Sequence, residues 1–206
     1  MRFGVTTITI LAAALAFGLT GCGDTSSNSA AATKSCPKSL HAGWQSVANR
    51  IDAPVYCPTW MPDPLTGKIG NEYNTVDSVD ARDRSYLIGW DWQESNTGEI
   101  HVNFRGYIGR TAIPTCDDTI TGAGTVKHRK IHCFSDFAGH VRHGGVRAAV
   151  YTANQGADQW HILYAWRRSG SLYTLSEHVA PPFGYQRVLQ NLDRMMQNLV
   201  PIAPSA

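Results

Sequence analysis

Four stretches of this chain alternate apolar and polar residues with a period of two, and no other feature restricts its fold so firmly. In SYLIGWDW, Tyr86, Ile88, Trp90 and Trp92 fall on one side. In EIHVNFRGYI, Ile100, Val102, Phe104 and Ile108 share a side, while His101, Asn103, Arg105 and Tyr107 point the other way. QWHILYAW sets Trp160, Ile162, Tyr164 and Trp166 together, and SLYTLSEH follows it directly. That period belongs to strands with one face buried. Glu94 to Gly98, and Arg168-Ser169-Gly170, supply turn residues, so the four stretches read as two hairpins. Between them, TVKHRKIHCF and GHVRHGGVRAAVYT add two or three strands, with Gly144-Gly145 as a turn. About six or seven strands joined by short links, with no helices interleaved, predict an antiparallel meander rather than a parallel doubly wound sheet.

Helical periodicity occurs at the two ends of this block. Leu40, Trp44, Val47 and Ile51 line one face of a short helix over Ser39 to Ile51, which Ala53-Pro54 stops. Pro54, Pro58, Pro62 and Pro64 then exclude a helix or a central strand and predict an extended arm held by Cys57. After Pro181-Pro182, Val188, Leu189, Leu192, Met195, Met196 and Leu199 form an apolar stripe opposite Arg187, Gln190, Asp193, Arg194 and Gln197. This is a helix for one face of the sheet, with Met195 and Met196 as core residues and Pro201 as its stop. The fold class expected is α+β.

The N-terminus places this domain. Arg2, the apolar run from Val5 to Ala16 and the small residues before Cys22 have the three parts of an export signal. The apolar run is too short to span a bilayer as a helix. Leu19-Thr20-Gly21-Cys22 resembles the lipobox of bacterial lipoproteins. The resemblance implies cleavage before Cys22 and a thioether-linked diacylglycerol on its sulfur. Acyl chains in that number hold a protein stably on a membrane. Residues 23–35 lack aromatic and large aliphatic side chains and read as a flexible tether. The expected organisation is a signal peptide over 1–21, a lipidated tether over 22–35 and one domain over 36–204. A domain of that length buries roughly 70% of its unfolded surface.

Cys36, Cys57, Cys116 and Cys133 remain. An even number in an exported domain suggests two disulfides, for which three pairings exist. Cys36–Cys57 and Cys116–Cys133 are favoured, since each pair brackets one local unit. A four-cysteine zinc site would want a C-x-x-C pair, which this chain lacks.

The residues capable of catalysis or metal binding form no recognisable motif. HRKIHCFSDFAGHVRH holds His128, His132, His140 and His143. On a strand, His128 and His132 would stand about 13 Å apart, too far to share one metal ion, and His140 and His143 would face opposite sides. There is no G-x-S-x-G elbow, no uncommitted thiol, and no phosphate or dinucleotide loop. Asp77, Asp80, Asp83, Asp91, Glu94, Glu99, Asp117 and Asp118 lie mostly in turn-like segments, where solvation accounts for them. A formal charge of +2 gives no argument for nucleic acid. Neither a cofactor nor a metal is expected. The polar face carrying His101, Asn103, Arg105 and Tyr107, together with His161, mixes aromatic and hydrogen-bonding groups and is the candidate binding face.

VYCPTWMPDPL followed by a strand meander, and HILYAWRRSGSLYTLSEH before a terminal helix, are similar to domains of unknown function in exported bacterial lipoproteins. The same strand–glycine turn–strand–helix order also resembles envelope domains related to lipoprotein-sorting proteins. That likeness implies a helix against a curved antiparallel sheet, sometimes with an acyl chain between the layers. The function expected is a lipid-anchored extracytoplasmic module that binds an envelope protein, a peptide or a lipid. The alternatives are a metal-dependent or other hydrolase built on the histidine-rich strands, and a lipid carrier.

Overall fold

The computed structural model describes residues 34–65, 74–94, 98–122, 124–154 and 160–205. Thr33–Ala206 forms one compact unit. Its first helix, α1 (Lys38–Ile51), buries Leu40, Trp44, Val47 and Ile51, the four residues of the expected face, and Ala48 beside them. It ends where Asp52 adopts the left-handed conformation, immediately before Ala53-Pro54. The proline arm follows as β1 (Val55–Pro58). It pairs with a strand at the other end of the chain, β11 (Leu199–Ile202), and Tyr56 stands opposite Pro201. A two-stranded ribbon tolerates prolines because each strand has a free edge. The disulfide Cys36–Cys57 ties this ribbon to the start of α1.

The main sheet has seven strands: β2 (Asn74–Asp80), β3 (Ser85–Glu94), β4 (Gly98–Tyr107), β7 (Phe134–His143), β8 (Val146–Asn154), β9 (His161–Arg168) and β10 (Ser171–His178). Their order is β2-β3-β4-β10-β9-β8-β7, with every neighbouring pair antiparallel. The chain makes one arm, β2 to β4, and leaves the sheet. It re-enters at the far edge as β7 and returns through β8 and β9 until β10 lies against β4. Both expected hairpins are present. In the β9–β10 hairpin, Ser169 and Gly170 both have positive φ, as the two-residue turn that fits twisted strands requires. Gly144-Gly145 does the same between β7 and β8.

Outside the sheet, β5 (Thr115–Gly122) and β6 (Thr125–His132) form a separate ribbon that is exposed along most of its length. The second disulfide, Cys116–Cys133, closes its base. A loop of that size is worth on the order of 3 kcal/mol in the chain-entropy model.

The second helix, α2 (Tyr185–Gln197), lies on the sheet through Val188, Leu192, Met195 and Met196, all buried. It stops at Gln197 rather than at Pro201, and Leu199 belongs to β11. Asn198 makes the break, its side-chain amide donating to Arg194 O at 2.7 Å. Aromatic residues account for much of the core beneath. Trp44 of α1 stacks on Trp90 at 6.0 Å and meets Phe104 edge-on, while Tyr56, Trp166 and Tyr173 form a second group. Trp160 departs from the expected pattern. It precedes β9, is 70% exposed, and does not join Ile162, Tyr164 and Trp166 in the core.

One close approach depends on a missing side chain. Tyr86 and Gly106 are cross-strand partners, and a Cβ at Gly106 would sit 2.2 Å from the Tyr86 ring. That ring is held edge-on to Trp44, so it cannot move away cheaply. Gly106→Ala is therefore expected to destabilise the domain by about 1–3 kcal/mol through overpacking. Urea unfolding checks this, and an unchanged midpoint would contradict the packing described.

Candidate functional site

The face of the sheet turned away from the helices holds a row of three histidines. It follows from two registers. The two-residue turn Ser169-Gly170 sets His161 of β9 directly opposite His178 of β10. The β4–β10 pairing sets Val102 against Glu177 and Asn103 against Ser176, which brings His101 beside His178. Three adjacent strands thus present His101, His178 and His161 together. The ring of His161 stacks on that of His178 at 5.2 Å and meets His101 edge-on, also at 5.2 Å.

Polar groups complete the row. His101 Nε2 donates to Asn103 Oδ1 at 3.1 Å, and His161 Nδ1 lies 3.2 Å from Ser176 Oγ. The Glu99 carboxylate reaches two of the rings, 3.5 Å from His178 Nδ1 and 4.0 Å from His101 Nδ1. Backbone geometry fixes Glu99, whose N–H donates to the Pro181 carbonyl at 2.6 Å. A Cβ at Gly98 would fall 2.5 Å from that same oxygen, so the segment after β10 closes one end of the row.

This is not an ordinary solvated sheet face. His161 is 1% exposed, and Asn103 and Ser176 are each 2% exposed. Burial grades outward through His178 and His101 to the half-buried Glu99. Two buried nitrogens, Asn103 Nδ2 and His178 Nδ1, make no hydrogen bond among the described residues, although the latter stands within ion-pair reach of Glu99. Leaving such a group unsatisfied costs about 1–3 kcal/mol. The arrangement can offer donors and acceptors to a polar ligand group. Among the described residues, no three His, Cys, Asp or Glu side chains converge where they could hold a metal ion.

Of the residues expected to form a binding face, His101, Asn103 and His161 meet. Arg105 lies about 13 Å further along β4 than His101, opposite Leu87 and Thr174. Tyr107 packs with Ile113 and Leu172 in a small apolar cluster. His178, Ser176 and Glu99 are additions from the structure. The centre of the Ser169-Gly170 turn could have placed His178 opposite His161. Nothing comparable in the sequence puts β10 beside β4.

The helix-facing side holds a further group that the sequence did not single out. Glu177 is fully buried beneath α2, and the Asn191 side-chain amide donates to its Oε1 at 2.8 Å. Burial pushes its carboxyl up to about 8, against the lowering by that hydrogen bond and by Arg187. Nearby, Asp193 of α2 takes a 2.8 Å hydrogen bond from Tyr164 Oη and another 2.8 Å contact from His143 Nε2. Burial, and then the bond to Asp193, push the Tyr164 hydroxyl well above its ordinary pKa. These groups pin helix to sheet.

The remaining histidines of the dense stretch are dispersed. His128 meets Thr119 on the exposed ribbon, His132 is exposed beside its base, and His140 lies against Phe137. His143 faces the helix, on the other side of the sheet from His140.

Compared with known proteins, the chain matches no family model, no curated sequence and no solved structure.

Proposed function

We propose that this chain is a lipid-anchored binding domain on the extracytoplasmic side of a bacterial membrane, and that the histidine row is where it meets its ligand. The supporting observation is the pair of buried, unbonded nitrogens on Asn103 and His178, set among three imidazoles and a carboxylate. A buried polar group in a folded protein nearly always has a hydrogen-bond partner, because going without one is costly. A ligand that hydrogen-bonds to them supplies it. The placement rests on the Leu19-Thr20-Gly21-Cys22 motif and on the two disulfides, which suit an oxidising compartment. The ligand class that fits is a polar group on an envelope protein, a peptide or a lipid.

Native mass spectrometry of the protein extracted from its own envelope tests this reading. The wild type is expected to carry a retained mass, and His101→Ala/His178→Ala is expected to lose it while melting cooperatively. A wild type that emerges bare under gentle extraction, or a variant that keeps the mass, would contradict the assignment of this face.

A further inference from the structure

The same face of the sheet carries a different feature at its outer edge. Arg142 of β7 stands directly opposite Arg147 of β8. Arg167 of β9 lies two residues beyond Ala165, the partner of Ala149, and so belongs to the same side. All three side chains are exposed. Like charges directly opposite each other weaken a strand pair. Among the described residues, neither Arg142 nor Arg147 meets a carboxylate, and Arg167 donates only to the Thr111 carbonyl, at 2.8 Å. On the β5–β6 ribbon, by contrast, Arg129 and Lys130 are matched by Asp118 and Asp117. Charge is also uneven along the chain: residues 119–206 hold nine lysines and arginines against four carboxylates.

A large apolar side chain accompanies the arginines. Phe137 lies on the same face of β7 and is 56% exposed, its ring resting against His140 and Tyr151. Among the described residues β7 is the last strand of the sheet, and none of their other strands flanks this patch. The three arginines stand in register on adjacent strands, their Cα atoms spanning roughly 10 Å, and form a row across the sheet surface. A flat layer of negative charge with an apolar layer just beneath it complements both parts. Guanidinium forks suit phosphate oxygens, and an exposed ring suits the head-group boundary.

We propose that this edge of the domain docks on an anionic phospholipid surface, with Arg142, Arg147 and Arg167 on head-group phosphates and Phe137 at the boundary of the acyl layer. The inference stands on this patch alone and does not require acylation of Cys22. Docking here would hold the sheet edge against the bilayer and set the direction in which the histidine row faces.

Co-sedimentation of the compact unit Thr33–Ala206, which contains both disulfides and lacks Cys22, tests the proposal. The probes are vesicles of phosphatidylcholine alone, and the same vesicles with one third phosphatidylglycerol. Binding is expected to the acidic vesicles only, and to fall at high salt. Arg142→Gln/Arg147→Gln should weaken it about 30-fold, Arg142→Lys/Arg147→Lys should retain most of it, and Phe137→Ala should weaken it further. Equal partitioning onto both vesicles, no binding to the acidic ones, or wild-type binding by the glutamine pair would overturn the proposal. Displacement by millimolar inorganic phosphate would assign the arginines to a soluble anion and overturn it equally. Since the tested chain carries no acyl group, these outcomes are independent of whether the mature protein is lipidated.

Discussion

Glutamine in place of Glu177 is expected to make the protein more stable at pH 8, and to flatten a pH dependence that the wild type shows. The carboxyl is raised from an ordinary 4.5 to about 8 in the folded state, by burial under α2. The folded protein therefore binds the proton more tightly than the unfolded chain does. The resulting stabilisation is fully present below pH 4.5 and disappears as pH rises toward 8. At about 1.4 kcal/mol per pKa unit, that window spans several kcal/mol, a large share of a domain's usual total of about 5–15 kcal/mol. Glutamine keeps the oxygen that accepts from Asn191 and never ionises. Urea midpoints at pH 5 and pH 8 give the comparison. The other titrating groups are common to both proteins, so the difference between the two slopes isolates Glu177. Parallel slopes would mean that the carboxyl ionises in the fold as it does in water.

The second large effect is expected from removing the end of the chain. Deleting residues 184–206 takes away α2 and β11 together. Val188, Leu192, Met195 and Met196 are buried against the sheet, and truncating residues of that kind singly costs about 2–5 kcal/mol each. Losing all four removes an amount comparable with the whole stability of an ordinary domain. The deletion also exposes Ile162, Tyr164 and Leu175, leaves Glu177 without Asn191, and strips β1 of its strand partner β11. The expected product aggregates and shows no cooperative thermal transition. A soluble truncation that melts cooperatively would mean that the helix does not hold the sheet together.

The contrast between these two residue sets shows what the sequence could and could not convey. The stripe on α2 and the alternation of β3, β4, β9 and β10 were readable because each element has one strongly apolar face and a local period. The strands β2 and β5 were not. NTVDSVD and TCDDTITG carry few large apolar residues, so no period stands out, and β5 is paired in a ribbon exposed along most of its length. Trp160 was misplaced because alternation continues on paper past the residue where the strand begins. The disulfide pairing followed from local bracketing, and both bonds lie within their expected units.

The site was half legible for a related reason. His101 and Asn103 share a side of one strand, and His161 joins a hairpin whose turn is explicit. Glu99, His178 and Ser176 become neighbours of these residues only because β10 pairs with β4, strands separated by some seventy residues of chain. Glu99 looked like a turn carboxylate and is instead the acid beside two imidazoles. Glu177 sits in a segment whose two faces are both covered, so alternation gave no warning that a carboxyl would be enclosed.

The placement of the whole molecule is tested most directly at its N-terminus. Intact-mass and peptide analysis of the protein isolated from its native envelope should find a first residue of Cys22 carrying the added mass of diacylglycerol. Mature material that begins at another residue, or at Cys22 without any acyl mass, would contradict the anchor on which the proposed function rests.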